Sequence, residues 1–337
     1  MTLRHLGLAL SVLALLAASC SRGSADAAAT SFAAAAQSNP GILQRMAAAP
    51  TTTRFAGERQ LWMRAETNQT APVLAYGERI YADGLGGFTI EPIAVTQPQL
   101  AQGQQDLFEI LQRAREGYLF RYRDFAERDV DLLQQNYIVH DLGTTVTVAG
   151  RACQELRFER RLQPSRVYHV AVDQATGLVL RYEQQDSPGV AAMRMEYTSF
   201  DPAPNLTGIT MHADLASIPL DPNLDNKSTL GFSLRLPNVL HGFQLVDANQ
   251  ITFDNRTWAR VQYQDGVEPL LYLYSRRNVL PNGPVTIPDG PEGQPSIRVY
   301  SAGSWTVAEC QHFGSVFVVA GKLDESRLIE TLQSAVE

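Results

Sequence analysis

Few of the 337 residues are spaced as catalytic or metal-binding groups usually are. The chain has no G-x-S-x-G, H-E-x-x-H, Walker loop or G-x-G-x-x-G. It has no C-x-x-C, and its histidines are scattered, so neither a metal nor another cofactor is expected. Asp129 and Asp131 stand two apart, but no cleft pattern surrounds them to make an acid/base pair. Asp83-Gly84-Leu85-Gly86-Gly87 lacks the lysine and helix that follow a phosphate loop, and is expected to be a turn needing positive φ. The densest basic-aromatic stretch sets Arg113, Arg115, Arg121, Arg123 and Arg128 among Tyr118, Phe120, Tyr122 and Phe125. Arg113, Arg121 and Arg123 there could meet lipid phosphates or an acidic partner helix, or form a solvated face paired with neighbouring acids. A binding protein is expected, not an enzyme.

Three cysteines offer the remaining chemistry. Arg4 and His5 precede the apolar run LGLALSVLALLAAS, which ends at Cys20. This is the layout of a secretory signal, and the run is too short to span a bilayer. LLAASC resembles a bacterial lipobox, which makes Cys20 a candidate lipid-attachment site. Ordinary cleavage near Ala25-Asp26-Ala27 is the alternative. Ser21 after the cysteine favours outer-membrane sorting, so the chain is expected in the periplasm, anchored to a membrane. In an exported chain Cys153 and Cys310 could bridge two domains, or remain as buried free thiols. A net charge of −7 without a clustered basic face excludes a nucleic-acid partner.

The elements positioning these groups are mostly strands. Residues 1–20 form the signal and 21–38 (SRGSADAAATSFAAAAQS) a small-residue tether. A short helix follows, with Ile42, Leu43 and Met46 on one face and Pro50 as its stop. Phe55–Met63, Leu74–Tyr81 and Phe88–Ile90 read as strands, and 97–135 as one or two amphipathic helices lying over the sheet. From 137 to 200 apolar and polar residues alternate between Gly, Pro and Asp turns, predicting an antiparallel meander with one covered face and one wet face. Residues 202–230 are rich in Pro, Asn and Asp and are expected to be a linker. Further strands from Gly231, and a last helix from Arg327 to Val336, predict a smaller α+β domain over 231–337.

Particular motifs resemble the RseB/MucB family of sigma-factor regulators. They are Gly150-Arg151, the run VDQATGLVLRYE from Val172 to Glu183, Leu236-Pro237 with Gly242-Phe243, and Tyr263-Gln264-Asp265-Gly266. The resemblance spans 40–337, and the D-x-x-T-G-L pattern is shared with the wider LolA-like lipoprotein-carrier superfamily. It implies an α+β fold in which 39–201 forms an unclosed antiparallel half-barrel packed with helices. It also implies that the chain binds the periplasmic part of an anti-sigma factor while the half-barrel senses lipid. The alternative is a carrier of acyl lipid or lipoprotein. Acyl-chain binding requires an apolar concavity, since each buried methylene contributes about 0.8 kcal/mol. The candidate lining is Phe55, Leu61, Met63, Phe88, Ile90, Phe108, Leu111, Val146, Val148, Leu156, Phe158, Leu178, Leu180, Met193 and Met195, which could equally fill a core.

Overall fold

The computed structural model describes residues 40–64, 73–95, 124–187, 189–211, 218–221, 230, 237–253, 256–276, 296–302, 305–312, 315–323 and 325–336. The chain divides into two compact units between Ala213 and Asp214.

In the first unit, helix α1 (Pro40–Thr52) leads into β1 (Arg54–Arg64), β2 (Val73–Asp83) and β3 (Phe88–Val95). Helix α2 (Val130–Asn136) then precedes a meander of β4 (Tyr137–Val148), β5 (Arg151–Arg160), β6 (Gln163–Asp173), β7 (Val179–Ser187) and β8 (Val190–Asp201). All eight strands join one antiparallel sheet in the order β3-β2-β1-β8-β7-β6-β5-β4. β3 and β4 are its two edges and do not pair with each other, so the sheet is unclosed. It is nonetheless curled, because the Arg151 guanidinium on β5 lies 5.6 Å from the Phe200 ring on β8, three strands away.

Alternation decides which face is covered. Along β1, Phe55, Gly57, Arg59, Leu61 and Met63 are buried, and their neighbours are wholly or partly exposed. The opposite face carries cross-strand ion pairs, Arg181–Glu155 at 2.6 Å and Arg194–Glu183 at 2.5 Å. Trp62 lies there beneath the guanidinia of Arg64 and Arg194. The β4–β5 hairpin turns on two residues, Ala149 and Gly150, both at positive φ, the geometry that matches strand twist.

Two helical expectations change. α1 continues two residues past Pro50, where the Thr51 and Thr52 hydroxyls donate to the Ala48 carbonyl at 3.1 and 2.9 Å. Of the helices expected over 97–135, residues 124–129 form an irregular strap instead, and helix begins only at Val130. Asp129 ends the strap because its carboxylate accepts from the Leu132 N–H, the arrangement of an N-cap. The rest of that stretch, with Phe108, Leu111, Arg113, Arg121 and Arg123, lies outside the described residues, as does Cys20.

The second unit is also antiparallel. It comprises β9 (Ile218–Pro219), β10 (Val239–Leu240), β11 (Phe243–Phe253), β12 (Arg256–Gln264), β13 (Pro269–Arg276), β14 (Ser296–Ala302), β15 (Trp305–His312), β16 (Ser315–Gly321) and helix α3 (Glu325–Val336). The strand order is β10-β11-β12-β13-β16-β15-β14, with β9 on β11. Part of 202–230 is therefore built into a sheet, and Leu220 and Leu230 are buried in this unit's core. Leu328 and Leu332 of α3 pack into the same core with Phe243, Tyr263 and Leu270. The family-like motifs have local causes here. Gly242 takes positive φ so that buried Phe243 can start β11, and Asp265 accepts from the Val267 and Glu268 N–H groups to close the β12–β13 turn.

Candidate functional site: the inner face of the first sheet

The register brings part of the proposed lining together. Leu61 stands opposite Met195, Met63 opposite Met193, and Met195 opposite Tyr182. Leu156 and Phe158 alternate in phase on β5, with Phe158 opposite Tyr168. Leu61, Met63, Leu156, Phe158, Leu180, Met193 and Met195 are all buried, as are Phe55 and Ile90 toward the other edge. Phe88 and Val146 are half-buried. Val146 and Val148 pair with Cys153 and Arg151, out of phase with Leu156 and Phe158, so alternation separates them from the main apolar set. Leu178 is buried in the β6–β7 turn rather than on a strand.

At the middle of this apolar face sits an ion cluster. The Arg59 side chain is 3 % exposed and that of Glu78 is 0 %. Arg59 Nε donates to Glu78 Oε1 at 2.7 Å, and its Nη2 lies 2.5 Å from the same oxygen. Nη1 meets Asp124 Oδ2 at 2.8 Å. The guanidinium also stacks 5.6 Å from the Tyr197 ring centroid, and burial pushes the Tyr197 hydroxyl up from its ordinary pKa. No sequence motif marks these residues. The signal that marks Arg59 is parity, since it shares the buried alternation of Phe55, Leu61 and Met63. Glu78 does the same between Tyr76 and Ile80. A buried charge is retained only where it is paired and hydrogen-bonded.

Asp124 opens the strap, which crosses the inner face. The Tyr182 hydroxyl, with one proton to give, has two acceptors in reach, Asp124 Oδ1 at 3.4 Å and Met193 Sδ at 3.2 Å. Phe125 follows, with its ring 4.9 Å from Phe158, 5.1 Å from Tyr168 and 6.4 Å from Tyr182. Burying such a ring contributes about 1.5–3 kcal/mol. Glu127 is 3 % exposed, and neither carboxylate oxygen has a hydrogen-bond partner among the described residues. Burial, reinforced by Asp129, pushes its carboxyl up to about 8, so it is mostly protonated at neutral pH. The strap therefore seats one ion-paired acid, one aromatic plug and one buried acid held protonated by its burial.

The turn that follows β6 docks α1. Asp173 accepts from the Thr176 N–H at 3.0 Å, the Thr176 hydroxyl at 2.7 Å and Arg151 Nη2 at 2.8 Å. Burial opposes its ionisation, but these donors outweigh it and hold the carboxyl below its ordinary pKa. Gly177 has φ +80° and lies so close to α1 that a Cβ would stand 2.8 Å from the Arg45 backbone. Arg45 Nη1 then donates to the Gln174 carbonyl at 2.8 Å. This explains the D-x-x-T-G pattern as turn closure plus helix docking.

Cys153 and Cys310 are free and buried, each within its own unit, the second of the two arrangements that the sequence allows. Each thiol fills the interior of its own unit, and burial pushes both up to about 11, so they remain protonated. Asp129 is a helix cap, which gives the Asp129–Asp131 spacing a structural cause.

Residues 101–215 match the model of the MucB/RseB N-terminal domain, a stretch that contains the strap, α2 and the whole meander. No curated protein matches the chain in sequence. Among solved structures the chain is similar to MucB of Pseudomonas aeruginosa in its complex with MucA, at 16% identity over 86% of this chain and 95% of that one, with a TM-score of 0.46. It is also similar to an outer membrane lipoprotein-sorting protein domain from Vibrio parahaemolyticus, at 9% identity over 87% of this chain and 96% of that one, with a TM-score of 0.20. The family match covers about a third of the chain, residues 101–215, and it is this stretch that is similar to the MucB/RseB N-terminal domain.

Proposed function

We propose that this chain is a non-enzymatic, exported lipoprotein, anchored through Cys20, that binds the periplasmic part of an anti-sigma factor and senses acyl lipid with its first unit. The match of residues 101–215 to the MucB/RseB N-terminal domain carries this reading. The lipid half of it is supported by the inner face, where Leu61, Leu180, Met193 and Met195 are buried around a strap that belongs to neither sheet. Methionines suit such a surface because the thioether chain repacks at low cost. Arg113, Arg121 and Arg123 are the proposed contacts to a lipid phosphate or to acidic residues of the partner. The proposed division places the half-barrel at 39–201, the connection at 202–230 and the smaller domain at 231–337.

The test is direct. Purified exported chain is titrated into the periplasmic segment of the membrane-spanning anti-sigma factor from the same cells, followed by calorimetry. Saturable one-to-one binding supports the regulatory reading. Absence of heat and of co-elution, with both proteins folded by circular dichroism, contradicts it.

A further inference from the structure

The geometry points to Asp124-Phe125 as an internal occupant of an amphiphile site. An anionic single-chain amphiphile replaces it, with its head group on Arg59 and its chain among Phe158, Tyr168 and Tyr182. This inference rests on the lipid-binding reading of the inner face and adds the head-group chemistry and the competing residues.

Two adjacent side chains already imitate such a ligand. The Asp124 carboxylate sits 2.8 Å from Arg59 Nη1, where a head group would sit. The Phe125 ring fills the space between three aromatic rings, where the first methylenes would lie. The sheet supplies the other half of the Arg59 site, because Glu78 on β2 takes the Nε and Nη2 edge. Asp124 is the exchangeable partner, with a side chain 17 % exposed against 3 % for Arg59 and 0 % for Glu78. Of the three charged groups, its carboxylate is the one that already reaches water.

The strap is built to yield. Residues 124–129 add no strand to the sheet. Glu127 is buried there without a hydrogen-bond partner among the described residues, an arrangement that costs free energy only while the strap is seated. Charge also selects the head group. Asp124 already sets a carboxylate on Arg59, so a monocarboxylate reproduces the group it replaces, whereas a dianionic phosphate adds negative charge beside Glu78. The favoured ligand is a carboxylate amphiphile of the fatty-acid type.

Calorimetry with decanoate, decyl phosphate and 1-decanol, below their aggregation concentrations, tests this on the full exported chain. An internal competitor lowers apparent affinity by the fraction of time it occupies the site, so Asp124→Asn should bind decanoate about tenfold more tightly. The preference for decanoate over decanol should widen in that variant and disappear in Arg59→Gln. Phe125→Ala should tighten both ligands alike. Decyl phosphate should bind more weakly than decanoate in every variant that keeps Arg59. A folding defect cannot mimic the gain in Asp124→Asn, so that result stands even if Arg59→Gln fails to fold. Unchanged or weaker decanoate binding by Asp124→Asn, or an equal gain for decanol, overturns the assignment. Acid and alcohol bound equally by all variants sink only the head-group site, whereas no binding by any variant sinks the lipid reading as well.

Discussion

Glu127 and Asp173 are buried acids with opposite consequences. Glu127 has its folded pKa raised to about 8, so its contribution is harmless below the ordinary glutamate range and destabilising as pH rises toward 8. Glu127→Gln should therefore stabilise the first unit by roughly 1–3 kcal/mol at pH 8 and by nothing measurable at pH 4.5, read from urea midpoints at both pH values. An equal gain at both would mean that ionisation is not the cause. Asp173 has its pKa lowered, so its stabilisation is present above the unfolded aspartate pKa and lost as pH falls through the lower folded value. Asp173→Ala should cost roughly 2–4 kcal/mol at pH 7, since it strands Arg151 and opens the turn that holds Gly177. The same denaturant titration measures it, and a loss within error of zero would remove Asp173 from the account.

At the scale of elements, close approach and capping carry the argument. β1 passes β8 where Gly57 faces Phe200, and a Cβ on Gly57 would stand 2.5 Å from the Ser199 carbonyl oxygen. Gly57→Ala should destabilise by roughly 1–3 kcal/mol, because backbone rather than a flexible side chain must move. Asp129→Ala removes the cap of α2 and should cost about 1 kcal/mol, with amide exchange accelerated first at Leu132 and Leu133. Unchanged exchange there would show that packing alone holds the helix. The meander was legible in the sequence because alternation dominates its strands and Gly150, Asp173 and Gly177 mark two of its turns with a local chemical cause, whereas the bulges that shift register within the strands leave no such mark. The strap was not, because Phe125, Leu132 and Leu133 are all buried, yet Asp129 divides an irregular segment from a helix between them. A helical period cannot express that division. Arg59 and Glu78 were missed for a related reason: polar residues were assigned to the wet face, and parity alone puts these two on the dry one.

For the whole molecule, the proposed partner binding and the proposed lipid site meet in the first unit, whose inner face holds Asp124 on Arg59 and Phe125 among three aromatic rings. Displacing the strap changes the first unit's buried surface, and a ligand shifts such an equilibrium only by its differential affinity for the two states. The proposed coupling is that acyl lipid and the anti-sigma segment compete through this chain. The deciding measurement is fluorescence anisotropy of the labelled periplasmic segment, bound to the chain and titrated with decanoate. The account predicts release of the segment in the wild-type chain, at about tenfold lower decanoate concentration in Asp124→Asn. Anisotropy that stays at its bound value while calorimetry shows decanoate saturating the chain would contradict the coupling.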